Sequence, residues 1–281
     1  MQISIVLQNL GHGGVRDSEG ERRDRWPLIL ERLADAAPDV LLLNECNHWA
    51  ENGHERLGRA ARDLGLEALP LSPSRSGYAT AMLYRRDKLG PWLFWNPDFS
   101  DEFTHGMAIA GFDVGLPSLL TVGVAHITPM SKIKAMIEAE TFAVRGYRAG
   151  PFGVLGADFN YPPFGSLASP ESMLIYNVAR RFKDPLGDPP HVPNTDVAQI
   201  MAENGYVDAM VHLHGKTSND QLLGRTGKSD RIDWILVTSP VAPALLNGRI
   251  LDTPAEASNH HGAAVTLDTD LIDVENLWNY G

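Results

Sequence analysis

Short aliphatic runs punctuate the chain, and each ends abruptly in a polar residue. Residues 3–7, 40–43, 119–125 and 152–155 are runs of strand length rich in Val, Ile and Leu, and residues 78–84, 231–237 and 263–267 read the same way. Between them the apolar positions recur with helical period. Residues 26–37 carry Leu28, Ile29, Leu33 and Ala36 on one face and stop at Pro38. Residues 54–65, 132–145 (with Ser131 as the cap), 171–182 and 195–204 predict further helices. Residues 89–115, rich in Trp, Phe and Asp, have no clean period and predict strands around an irregular loop. The charged residues 17–25 read as solvated, Arg85-Arg86-Asp87 as a turn, and His212 and His214 as surface or loop histidines. Strands interleaved with helices along the whole length predict one α/β domain over residues 1–281.

Composition narrows the function classes. With 43 % apolar residues in 281, the chain can bury a substantial core. A formal net charge of −11 argues against a protein that grips long duplexes through a broad basic face, but not against a small basic patch or the recruitment of divalent cations. Cys46 is the only cysteine, so no intrachain disulfide forms, which fits a reducing compartment. With neither a leader-like start nor an apolar run of spanning length, the expectation is a soluble, cytoplasmic chain with no membrane contact and no obligate protein partner.

The polar strand ends carry the chemistry. Asp158 and Asn160 close the run Phe152-Gly153-Val154-Leu155-Gly156-Ala157, and in an extended segment positions two apart address one side. Glu45 follows four aliphatics and Asn44, where it either emerges at the surface or meets a cation. Asn9, His126, Asp233, Asn259 and His260 stand at the ends of other predicted strands. Carboxylates and amides of this kind suit a hard cation such as Mg²⁺ or Mn²⁺. The chain has no cysteine cluster or H-E-x-x-H helix for zinc, no phosphate-loop spacing and no G-x-S-x-G elbow.

Taken in order, these motifs resemble the endonuclease/exonuclease/phosphatase superfamily, the deoxyribonuclease I-like Mg²⁺-dependent phosphoesterases. The motifs are a first strand ending in Asn9, an aliphatic strand ending at Glu45, a strand ending in His126, G-x-D-x-N at Asp158 and Asn160, R-I-D-W-I at Asp233, and a final S-x-H at His260. The resemblance implies an α/β four-layer sandwich of two packed mixed sheets flanked by helices. It also implies residue roles: Glu45 as the main metal carboxylate with Asn9 and Asn259 beside it, and Asp158 orienting or deprotonating water. Asn160 would bind phosphoryl oxygens, His260 (oriented by Asp233) the scissile phosphate, and His126 would lie near the leaving group, with Asp208 in support. Asp230 reads as loop charge. Asn259 stands where the family motif has Asp, leaving open a site with less help for the metal, a weakened homologue, or an inactivating substitution. Arg225, Lys228 and Arg231, like residues 145–148, are either substrate-phosphate contacts or solvated charges. Trp92, Phe94 and Trp95 either stack a base or fill the core. The expected activity is metal-dependent hydrolysis of a phosphodiester in a nucleic acid or nucleotide. The alternatives are a phosphatase acting on a small phosphorylated metabolite and a catalytically impaired binding homologue.

Overall fold

The computed structural model describes residues 1–16, 21–166, 169–275 and 277. Its strands are β1 (Gln2–Asn9), β2 (Val40–Asn44), β3 (Glu67–Ala68), β4 (Ala81–Tyr84), β5 (Trp92–Asn96), β6 (Met107–Phe112), β7 (Leu120–His126), β8 (Gly153–Asp158), β9 (Tyr206–Asp208), β10 (Asp233–Thr238), β11 (Leu245–Leu251) and β12 (Gly262–Asp268). The helices are α1 (Trp26–Ala36), α2 (Glu55–Leu64), α3 (Arg86–Leu89), α4 (Lys132–Gly146), α5 (Ile175–Arg181), α6 (Asp196–Glu203) and α7 (Ala209–Thr217). The strands form two six-stranded sheets, in the orders β11-β12-β1-β2-β4-β3 and β5-β6-β7-β8-β10-β9. Each is mixed: β1 runs parallel to β2, and β7 parallel to β8, while the other pairings are antiparallel.

Side-chain alternation explains the layers. Ile3, Ile5 and Leu7 of β1 point inward and pack, with Val40 and Leu42, against Val122, Val124, Val154 and Ile235 of the second sheet. Val6, Leu41 and Leu43 point the other way, under Ile29 and Leu33 of α1 and Leu57 of α2. On the far side Leu155, Ala157 and Trp234 meet Phe142 of α4 and Val197 of α6. The result is the four-layer sandwich, helices outside two facing sheets. At Gly156 the second sheet lies close under the first: a Cβ there would fall 2.5 Å from Leu42 Cδ1.

Most predicted elements are present, and Ser131 caps α4 by accepting from Lys134 N–H at 3.3 Å. Several expectations are corrected. Strand β11, a stretch for which no element is predicted, is an edge strand with a bulge between Leu245 and Asn247. Strand β4 starts at Ala81 rather than residue 78, because the backbone carbonyls of Ala79 and Thr80 accept from Cys46 and Ser72 outside the ladder. Residues 86–89 form a short helix, and His212 and His214 lie on α7. Phe94 packs over Gly111 and Trp95 on the core, so these aromatics are structural; Trp92 lies on the edge strand β5. No helix among the described residues is long and apolar enough to cross a membrane.

Candidate active site

Strand register gathers the polar strand ends. Asp233 of β10 lies directly opposite Asp158 of β8, and His126 of β7 opposite Asp158 on its other flank. Partners directly across a ladder share a face, so all three side chains leave the second sheet on one side. In the first sheet Asn9 and Asn44 are register partners. Asn44 joins the sheets: its Nδ2 donates to Ala125 O at 2.8 Å, and its Oδ1 accepts from Asp158 N–H at 3.0 Å.

At the centre, Asn9 Nδ2 donates to Glu45 Oε1 (3.3 Å) and Asp158 Oδ2 (3.0 Å). One amide thus holds two like-charged groups at a fixed separation. Its Oδ1 accepts from Gly11 N–H at 2.9 Å, so Asn9 is placed as a holder of the carboxylates rather than with its oxygen turned to a cation. Glu45 follows β2 with φ 55° and accepts the His12 N–H on Oε2 at 2.7 Å. Glu45, Asp158 and His260 each present one donor atom within 4.8 Å of the others, a cluster that could hold a metal ion.

The charges within this cluster differ in kind. Burial, then the negative charges of Asp233 and Glu45, raise the Asp158 carboxyl to about 7. Burial alone would lower His260, but the Asp233 carboxylate, 2.9 Å from its Nδ1, reverses the sign and raises it to about 10, helped by Asp158 and Glu45. His260 is therefore an imidazolium at neutral pH, and a cation would have to displace its proton to use it as a ligand. The donors suited to a hard divalent ion are thus the two carboxylates, a set that fits Mg²⁺ or Mn²⁺ chemistry.

His126 is buried beside Asp158. Its Nε2 lies 3.5 Å from Asp158 Oδ2, and its ring stacks on His105 at 4.3 Å between centroids. Burial, with the neighbouring charges of His105 and His260, keeps it neutral. It packs directly beside Asp158. Asn160 also reaches the site by another route than strand alternation. Strand β8 ends at Asp158, and Asn160 sits in the left-handed region at φ 59°, its N–H turned back to Asp158 Oδ1 at 2.9 Å. Its Nδ2 donates to Ile127 O at 3.0 Å.

Three charged residues are corrected outright. Arg231 is buried, in a two-pronged pair with Asp208 at 2.7 and 3.2 Å, so it is not part of the exposed loop that carries Arg225 and Lys228. Asp208 caps α7 through Met210 and Val211 N–H and anchors that arginine. Asp230 is buried too, accepting from Ser166 Oγ at 2.7 Å. Arg25 is buried and donates to the carbonyls of Ala257, Leu10 and Gly11; residues 17–20 of the same predicted solvated stretch lie outside the described residues. Arg25 therefore ties the end of β1 to the loop that delivers His260. Its replacement by Met should leave buried carbonyls unpaired and destabilise the protein by about 2–4 kcal/mol, seen as a lower urea midpoint at unchanged slope.

Asn259 is exposed beside His260, with its Oδ1 over Gly11, where a Cβ would come within 2.6 Å. Ser258 Oγ donates to Asn9 O at 2.8 Å and accepts the His260 N–H at 3.1 Å, which explains the serine of the final motif. Thr226, which sequence reasoning did not single out, accepts both Ile232 and Asp233 N–H groups on Oγ1 and fixes the entry to β10. A cavity of about 720 Å³ opens over Asn160, Asn259 and His260, walled by α5 on one side and Lys228 on the other.

Two facing mixed sheets with their polar strand ends pooled at one end make a deoxyribonuclease I-like fold. The chain belongs to the Endonuclease/Exonuclease/phosphatase family, whose model matches residues 7–247. No curated protein matches it by sequence. Among solved structures it is similar to an AP endonuclease from Archaeoglobus fulgidus (15 % identity, TM-score 0.65, 95 % of this chain and 100 % of that one). It is similar to a variant of the 3′ phosphatase NExo from Neisseria bound to product DNA hairpin (17 %, 0.67, 95 % and 99 %). It is also similar to D. rerio TDP2 complexed with single strand DNA product (17 %, 0.60, 95 % and 99 %). At these identities the likeness is one of fold.

Proposed function

We propose that this protein is a divalent-metal-dependent phosphoesterase that hydrolyses a phosphodiester in a nucleic acid or nucleotide. The observation that carries this reading is the convergence of Glu45, Asp158 and His260 within 4.8 Å, with His260 also bordering a cavity large enough for a nucleotide. A bound Mg²⁺ or Mn²⁺, held chiefly by Glu45, would neutralise charge building on the phosphoryl oxygens. Asp158, with its carboxyl raised to about 7, is suited to accept the proton of the attacking water. His126 and Asn9 orient that carboxylate. The His260 imidazolium, held by Asp233, donates to a phosphoryl oxygen, and Asn160 lines the same cavity. The DNA products bound in the NExo and TDP2 structures support a nucleic-acid substrate.

A second reading, a phosphatase on a small phosphorylated metabolite, is favoured by the walled cavity and by the net charge of −11. Incubation with supercoiled plasmid and Mn²⁺ or Mg²⁺, beside chelator and Asp158→Ala controls, separates the two. Nicking that requires both metal and Asp158 is the expected result. Absence of nicking with release of phosphate from small monoesters would select the second reading. Hydrolysis only after Asn259→Asp would identify the chain as an impaired form.

A further inference from the structure

A site with three carboxylates, Glu45, Asp158 and Asp233, repels a phosphate anion unless cations balance them. His260 supplies one positive charge. Arg181, at the C-terminal end of α5, is placed to supply another. It is 8 % exposed and lines the same cavity as Asn160 and His260. Its Nε donates to Asn160 O at 3.1 Å, but neither Nη group has a hydrogen-bond partner among the described residues, and neither is sealed from solvent. The carboxylates of Asp158, Asp230 and Asp233 act on it through space, yet none closes an ion pair with it. A guanidinium this buried usually has its remaining donors satisfied.

The backbone around it is firmly set. Arg181 O accepts the Asn194 N–H at 2.7 Å, and Asn194 Nδ2 donates to Arg180 O at 3.0 Å. A side chain locked at its stem and at Nε, with its fork open to the cavity, matches the planar recognition of two phosphate oxygens. We propose that Arg181 forms an anion subsite facing His260 that binds non-bridging oxygens of the substrate's phosphate ester. This rests on the phosphoesterase reading and adds a residue to it. The Arg181–Asn160 contact holds the subsite in register with the end of β8.

The test uses the p-nitrophenyl ester of thymidine 5′-phosphate with Mn²⁺, comparing the wild type with Arg181→Met, which keeps the apolar stem, and Arg181→Lys, which keeps the charge. The expected result is a fall in kcat/KM of about 100-fold for Met and about 10-fold for Lys. Affinity for Mn²⁺ alone should be unchanged or tighter, because Arg181 opposes the cation, and Tm should stay close to wild type. A kcat/KM within about threefold of wild type for Arg181→Met would overturn the proposal, as would a parallel loss of Mn²⁺ affinity. If the wild type hydrolyses no ester, the phosphoesterase reading fails by itself. The subsite is then judged by calorimetric binding of the same ester in Ca²⁺: weaker binding to Arg181→Met keeps it, and equal binding, or none to either protein, removes it.

Discussion

Exchange of Asp158 for asparagine is expected to reduce metal-dependent phosphodiester hydrolysis by about 10³-fold, the loss of a general base from its substrate. The substitution is nearly isosteric. It leaves an oxygen for the Asn160 N–H at Oδ1, so the loop after β8 should keep its shape. What disappears is the group able to take a proton from water. The same residue sets the acid side of the pH profile. A carboxylate acts as a base only when ionised, and burial with the nearby Asp233 and Glu45 charges raises Asp158 to about 7. Activity should therefore rise with pH and level off above about 7, a midpoint that bound Mn²⁺ draws downward by stabilising the ionised form. The asparagine variant should lose this limb along with its activity. A variant keeping more than a tenth of wild-type kcat/KM would remove Asp158 from the role of base.

The second large effect lies in the pair Asp233 and His260. His260→Ala should lower kcat/KM by about 10²–10³-fold, the usual consequence of removing a preorganised donor to a developing anion. Asp233→Asn should give a smaller loss, because the imidazole remains. The double variant should be hardly worse than His260→Ala alone, since Asp233 acts through the histidine 2.9 Å away. The pH profile distinguishes this from a structural fault. Burial favours neutral His260, and Asp233 is the main group keeping it charged at pH values up to about 10. In the proposed mechanism the cation is the active form, and it is lost as pH rises through its pKa. Asp233→Asn should consequently bring the alkaline decline down toward neutrality, whereas simple misfolding would scale the whole profile. Additive losses with an unmoved alkaline limb would contradict the coupling.

The centre of this site is legible in the sequence because its residues break a strong local rule. An aliphatic run that leads into Glu45, Asp158 or His126 shows its exception in a single line of text. Register, which makes Asp158 the neighbour of both His126 and Asp233, follows from strand order and waits on the fold. The misread charges are hidden by company. Arg25 stands among charged neighbours that are exposed, and Arg231 follows a Gly/Lys/Arg loop, yet both are buried; no local pattern separates a clamp from a solvated side chain. Asn160 borders the cavity through a left-handed turn rather than by strand alternation, which residue identity does not announce. Arg181 carries no signal in the sequence because its partner, Asn160 O, is a backbone group with no signature in residue identity.

The amide of Asn44 reaches from one sheet to two backbone positions of the other. With the links from Asn9 to Asp158 and from His260 to Asp233, the seam between the sheets runs through the candidate site. Neither sheet owns a complete site. The proposed activity would therefore report on docking: during refolding it should emerge only when the halves lock, however early each ladder zips. A slide of one sheet on the other by a fraction of a residue would part Asn9 from Asp158 and Asn44 from its two backbone partners before either sheet had to open.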